Sequence, residues 1–213
     1  TSQQLGESAG AMSGSLQYRG PDDAGVWIDA EAGVAFAHRR LSVIDLSPAG
    51  HQPMISADGR YVIIYNGEVY SHEDMRPSLS ERGATFRGHS DTEVILESVA
   101  AFGLERTLEQ LIGMFAIALW DRRERTLTLV RDRLGIKPLY WGQFGDLFVF
   151  GSELKALHQH PGWTPRLNRN AVASYMRLGY VPAPHTIYEG IRKLEPGTFL
   201  TLVAGGEPRI TRY

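Results

Sequence analysis

Apolar positions first fall at helical spacing at Leu5, Ala9, Met12 and Leu16, which predicts an amphipathic helix over residues 3–17. Arg19-Gly20-Pro21-Asp22 ends it with turn chemistry. The period then shortens. Gly25–Ile28 and Val34–Ala37 predict two short strands across a polar turn, and Leu41–Leu46 a loop or short strand closed by Ser47-Pro48-Ala49-Gly50. Arg60–Tyr65 is dense in β-branched and aromatic residues and predicts a strand. Residues 71–82 predict a helix weakened by Pro77. Ser90–Phe102 predicts a better one, with Ser90 and Glu93 in the S-x-x-E capping pattern.

Strands dominate the middle and end of the chain. Met114–Asp121 and Thr126–Asp132 read as a pair joined by the charged loop Arg122–Arg125, with Leu127 and Leu129 alternating with threonines. Leu139–Gly142 and Leu147–Gly151 suggest a second hairpin, and Thr198–Val203 and Arg209–Tyr213 a last one around Ala204-Gly205-Gly206-Glu207. Glu153–His160 and Arg169–Leu178 predict short helices. Strand and helix do not alternate as in a parallel βαβ sheet, so an α+β fold with mainly antiparallel sheets is expected.

Composition narrows the function classes. The 213 residues are 43% apolar, enough for a real core, and 22 basic against 24 acidic residues argue against nucleic acid as the main partner. The longest apolar run, Phe115–Trp120, is far short of the roughly 20 residues a membrane helix needs, and no signal sequence is visible, so a soluble cytoplasmic protein is expected. There is no cysteine, which excludes disulfides, thiolate metal sites and a cysteine nucleophile within these residues. The seven histidines (38, 51, 72, 89, 158, 160 and 185) show no ligand spacing, so no metal site is expected. No Gly-rich phosphate loop, zinc-protease helix or serine elbow is present.

Four segments carry candidate chemistry, the first three with two readings each. Tyr65-Asn66-Gly67-Glu68 is either a type I′ hairpin turn or an oxyanion site at a strand end, where the Asn amide and a Gly N–H meet a developing negative charge. Ser90-Asp91-Thr92-Glu93 is either a helix cap or a place where Asp91, held ionised at a helix start, grips a substrate ammonium. His38-Arg39-Arg40-Leu41-Ser42 is either an exposed basic turn or a two-point clamp for a carboxylate. Arg131–Tyr140 reads as an ion-paired turn shaped by Gly135 and Pro138. Together the first three would recognise an α-amino acid by its carboxylate, its ammonium and a side-chain carbonyl.

RGPDDAG (19–25), HRRLSVIDLSPAGHQPM (38–54), YNGEVY (65–70), HSDTEVIL (89–96), GMFAIALWD (113–121), RDRLGIKPLYW (131–141) and GSELKAL (151–157) occur in that order. This ordered set resembles the glutaminase domain of glutamine-dependent asparagine synthetases, from about Leu5 to the C-terminus; LSPAGHQPM is similar to members from bacterial polysaccharide clusters. The resemblance implies an N-terminal-nucleophile hydrolase sandwich: two stacked antiparallel sheets with helices outside both. It implies that Arg40 clamps the glutamine carboxylate, with backbone groups of Val43 and Ile44 beside it. Asn66 and Gly67 would form the oxyanion hole, and Glu68 and Asp91 would hold the α-amino group. It further implies L-glutamine as substrate and a C-terminal synthetase domain that uses ATP and Mg²⁺ to amidate aspartate or a related carboxylate. No cofactor is implied for the present residues, and a homodimer is an allowed assembly.

The sequence departs from that family at its start. The family's opening strand with its N-terminal cysteine has no counterpart in residues 1–213, so this stretch alone is expected not to turn over. Thr1 is a poor substitute nucleophile, because Ser2–Gln4 leave no room for a buried strand of about five residues before the helix expected near Leu5. The alternative is a non-catalytic module of the same fold that binds glutamine or docks a partner.

Overall fold

A computed structural model describes residues 1–213. The chain forms α1 (Ser2–Gly14), β1 (Asp23–Asp29), β2 (Val34–Arg40), β3 (Met54–Ile55), β4 (Tyr61–Val69), α2 (His72–Ser80), α3 (Asp91–Phe102), α4 (Leu104–Gln110), β5 (Gly113–Asp121) and β6 (Thr126–Arg131). It continues through β7 (Tyr140–Phe144), β8 (Leu147–Gly151), α5 (Leu154–Leu157), α6 (Arg169–Leu178), β9 (Ile191–Lys193), β10 (Thr198–Val203) and β11 (Arg209–Arg212). Every strand pairing is antiparallel. No helix is long and apolar enough to cross a membrane.

Alternation along the central strands sorts their side chains into two cores. In β5, Phe115, Ile117 and Leu119 face α2, α3 and α4, joining Leu79, Ile95, Leu96 and Leu108. Ala116, Ala118 and Trp120 face the other way and meet Phe36, Leu139, Trp141 and Leu194 from the second strand layer. Helices α1 and α5 cover that second layer, so four layers stack: helices, a six-stranded sheet ordered β11-β10-β6-β5-β4-β3, a second strand layer, and helices. This is the α+β sandwich of stacked antiparallel sheets that the resemblance implies.

The second layer differs from the expectation of one continuous sheet. It is a two-stranded piece, β1-β2, and a three-stranded piece, β8-β7-β9, and the edges of β2 and β8 bond to no other strand. Several local expectations also change. The first helix begins at Ser2, not near Leu5, because Thr1 and Gln4 form a capping box: the Thr1 hydroxyl accepts from Gln4 N, and Gln4 Oε1 accepts from the Thr1 amine at 2.9 Å. At α3 only half the box forms. Ser90 Oγ accepts from Glu93 N, but the Glu93 carboxylate turns to the backbone N–H groups of Arg87 and Gly88 and to the Arg87 guanidinium. Asn66-Gly67 is not a turn, since β4 runs through both residues to Val69 with β5 as its partner. The sequence pattern also passed over β3, α4 and β9.

The 131–138 loop is held without ion pairs. Asp132 is fully buried, and its carboxylate accepts N–H groups from Phe115, Leu134, Ile136 and Lys137 at 2.9–3.2 Å. Arg131 donates to the carbonyls of Gly135, Lys137 and Leu194 at 2.6–2.9 Å. Each charge therefore satisfies backbone groups that the loop's irregular path would leave unpaired. Asp132→Ala strands buried amides and is expected to lower stability by about 3 kcal/mol or more, measured by urea unfolding.

Candidate active site

Strand β4 outruns its neighbour. β3 pairs with it only at Val62 and Ile63, so from Tyr65 onward one edge of β4 lacks a strand partner. Side chains take over. Tyr65 N donates to Gln52 Oε1 at 2.7 Å, and Val69 N donates to Asp91 Oδ2 at 3.0 Å. By strand alternation the Gly67 N–H lies on this edge between them, and no side chain or loop carbonyl accepts from it. Gly67 must lack a side chain for a separate reason: a Cβ there would lie 2.2 Å from Met114 O on β5.

The residues between these amides point into the sandwich. Asn66 and Glu68 share the inner face with Ile64 and line a cavity of about 1150 Å³ between the two strand layers. The Asn66 Nδ2 atom is buried there and has no hydrogen-bond partner. Such an orphan is uncommon in a folded interior and marks a donor held ready for something that binds.

Asp91 opens α3 and is buried against the same edge. Its Oδ2 accepts from Tyr65 Oη at 2.7 Å as well as from Val69 N, and its Oδ1 accepts from Thr92 N at 2.9 Å. Burial and the neighbouring Asp91 charge push the Tyr65 phenol far above its ordinary range, so it remains a donor. Gln52 completes the frame by donating Nε2 to Thr92 Oγ1 at 3.3 Å.

Arg40 reaches the cavity from the end of β2. It is buried, donates Nη1 to Ser47 O at 3.0 Å and Nη2 to Asp45 O, and lies against Gly50, where a Cβ would sit 2.0 Å from Nη2. The loop after β2 bends back around the guanidinium. Its Asp45 carboxylate is held down to about 2 by Ser47 and by the His89 N–H, with Arg40 adding to the effect. Ser42 N donates to Asp22, and His51 pairs with Asp23 at 2.7 Å, tying the loop to β1. Val43 and Ile44 line the cavity, and their backbone groups make no hydrogen bonds.

Arg40, Val43, Ile44, Asn66, Gly67, Glu68 and Asp91 thus all line one cavity. Its wall carries the Arg40 guanidinium, the Asn66 and Gly67 donors and the Asp91 and Glu68 carboxylates. The arrangement suits a small zwitterion that also carries a polar carbonyl. Thr1 is exposed, caps α1 and does not line the cavity. No group of three or more His, Asp or Glu residues is placed to hold a metal ion.

Comparison with known proteins identifies the scaffold. The glutamine amidotransferase domain family matches residues 1–213. The chain belongs to this family. It is similar to asparagine synthetase [glutamine-hydrolyzing] 3 of Bacillus subtilis (strain 168), 41% identical over 198 residues covering 92% of this chain and 32% of that protein. It is also similar to a putative asparagine synthetase of Mycobacterium tuberculosis (strain ATCC 25618 / H37Rv), 39% identical over 210 residues covering 93% and 32%. The chain therefore spans about a third of the length of these relatives. Among solved structures, the glutamine phosphoribosylpyrophosphate amidotransferase from B. subtilis superposes with a TM-score of 0.66 at 21% identity, over 95% of this chain and 45% of that one, which shows the shared fold.

Within this glutamine amidotransferase domain, sequence reasoning missed Gln52, Tyr65 and Thr92. Their signal was faint: Tyr65 is a hydroxyl-bearing residue at an otherwise apolar core position, and Gln52 a buried amide just before a proline.

Gly50→Ala puts a methyl where the Arg40 guanidinium lies, at the movable end of a long side chain. It is expected to weaken ligand binding by about tenfold or more while leaving the unfolding midpoint nearly unchanged, measured by calorimetry and thermal melts. His38, on the cavity wall, has its pKa lowered from 6.5 to about 4 by burial, with Arg40 and His51 adding to the fall and Asp23 opposing it. The unfolded chain therefore takes up a proton below about 6.5 that the folded domain refuses until about 4. Stability contributed by neutral His38 falls as pH drops through this window, by at most about 1.4 kcal/mol per unit, and His38→Gln is expected to flatten the slope in urea titrations between pH 6.5 and 4.5.

Proposed function

We propose that this domain is the glutamine-hydrolysing half of an asparagine synthetase-like amidotransferase. In this reading it works in the cytoplasm and supplies ammonia from glutamine to amidate aspartate or a related carboxylate. The observation that carries the reading is the buried, unpartnered Asn66 amide facing the same cavity as Arg40 and Asp91. Arg40 clamps the α-carboxylate, Asp91 and Glu68 take the α-ammonium, and the side-chain carbonyl turns its oxygen toward Asn66 Nδ2 and Gly67 N–H. When a nucleophile adds to that carbonyl carbon, negative charge grows on the oxygen, and donors fixed beforehand stabilise it without reorganising. Collapse of the adduct, with the nucleophile's proton passed to the amide nitrogen, expels ammonia and leaves an acylated nucleophile, which water hydrolyses to glutamate and the free nucleophile.

The nucleophile in this reading is a thiolate on an extended segment outside residues 1–213. The free edges of β2 and β8 face the cavity under α1, over a floor of Ala116 and Ala118. At about 1150 Å³ the space exceeds the roughly 300–1,000 Å³ of an ordinary small-ligand pocket. A strand there would join both pieces of the second layer into one sheet and satisfy two open edges. ATP and Mg²⁺ chemistry belongs, on this reading, to a synthetase domain in the remainder of a longer protein.

The cysteine-free composition favours one second reading, a module that binds glutamine without hydrolysing it. Glutamate release separates the two. In a protein carrying the nucleophile segment, Arg40→Ala and Asp91→Ala are expected to raise KM for glutamine, whereas Asn66→Ala is expected to lower kcat by about a hundredfold or more. Absence of glutamate release from the protein with that segment would leave only the binding module; unchanged kinetics in all three variants would refute the residue roles.

A further inference from the structure

The Asp91 carboxylate has more partners than a helix start requires. A carboxylate beginning a helix needs only nearby backbone N–H groups, which Thr92 supplies. Tyr65 adds a phenol from β4, 26 residues away in sequence, to the oxygen that Val69 N already occupies. Around Tyr65 the core is apolar, with Ile63, Val69, Ile95 and Ile117 in the same cluster, and phenylalanine would fill the space equally well. The hydroxyl is the part of the side chain that packing does not explain. Its consequence is geometric: with two donors on Oδ2 and one on Oδ1, the acceptor capacity left free lies on Oδ1.

We propose that Tyr65 is a positioning residue that sets the domain's selectivity for the α-ammonium group, by fixing the Asp91 carboxylate so that Oδ1 alone is offered to the ligand. Tyr65 suits this task because it is anchored at both ends. Its N–H is held by Gln52 Oε1 and its hydroxyl by Asp91, so the strand bearing Asn66 and the helix bearing Asp91 are joined through one rigid ring. Gln52 extends the link to Thr92, beside Asp91. Distance between the amide-recognising and ammonium-recognising groups is thereby set by an aromatic ring, which has few torsions to relax. Without the hydroxyl, Asp91 keeps its charge and its two backbone donors but gains freedom to rotate, and a charge-assisted contact weakens when its acceptor is no longer fixed.

The proposal rests on the glutamine reading of this cavity, and one experiment separates the two. Calorimetry on the protein carrying the nucleophile segment, with that segment's cysteine replaced by alanine, and on the same protein with Tyr65→Phe compares L-glutamine with 4-carbamoylbutanoate, which keeps the amide and carboxylate but lacks the α-ammonium. With that cysteine replaced no thiol is left to be acylated, so binding is read without turnover. The protein that keeps Tyr65 is expected to prefer glutamine. In Tyr65→Phe the glutamine affinity is expected to fall about tenfold, with the analogue changed by less than about twofold and the thermal midpoint little altered. Equal weakening of both ligands, or no change in either, overturns the positioning role and leaves the glutamine site standing. If the protein that keeps Tyr65 binds both ligands equally, the Asp91–ammonium assignment and the Tyr65 role fall together. If it binds neither, the glutamine reading falls as well.

Discussion

The site depends on a strand that continues where its neighbour stops. Beyond Ile63 the edge of β4 loses β3, and its amides need partners that are not strands. Gln52 takes Tyr65 N and Asp91 takes Val69 N, with the Gly67 N–H between them. An unfinished sheet edge usually invites aggregation. Here it is closed by two polar side chains and covered by a helix terminus, so one amide remains available beside a cavity. The side-chain amide of Asn66, on the adjoining inner face, is the second donor the same strand supplies.

Rigidity of the frame comes from the outer core. Phe115, Ile117, Leu96 and Leu108 fix β5 against α3 and α4, and β5 in turn fixes β4 through nine residue pairs. The start of α3 cannot move far from β4 while Val94 and Ile95 are packed beneath it. Polar contacts at Asp91 therefore act between elements that packing has already placed, which is the condition under which a hydrogen bond specifies geometry. The Arg40 side differs: the 41–51 loop wraps a guanidinium with carbonyls and is tied to β1 through Asp22 and Asp23, with Leu41, Val43 and Leu46 left exposed.

Several readings failed in one direction. Asn66-Gly67 looked like a hairpin turn because that dipeptide is the strongest short-range turn signal. The strand passes through it because Gly67 lets β4 and β5 approach where a Cβ would collide with Met114 O, and the nine-residue pairing outweighs a two-residue preference. The Arg131–Tyr140 segment looked ion-paired because its charges alternate, yet they satisfy backbone groups of a loop whose path sequence does not reveal. Glu93 likewise left its capping role for Arg87 and Gly88. Local propensity loses where a distant partner supplies more.

Sequence alone determined the longer elements and which residues within one of them share a face. Periodicity located α1, β4, β5, β6 and α3, although the strand expected to end at Tyr65 runs on to Val69 and thereby puts Asn66 and Glu68 on one side. The order of seven motifs pointed to Arg40, Val43, Ile44, Asn66, Gly67, Glu68 and Asp91, all among the residues that line the cavity. Only the tertiary structure decided that Arg40, Asn66 and Asp91 line one cavity, that Tyr65 and Gln52 brace β4 against the start of α3, and that the second strand layer is divided between β2 and β8. The reason is physical: periodicity is a property of neighbours along the chain, whereas the contacts that build the site join residues 13 to 40 positions apart and exist only once both cores have formed.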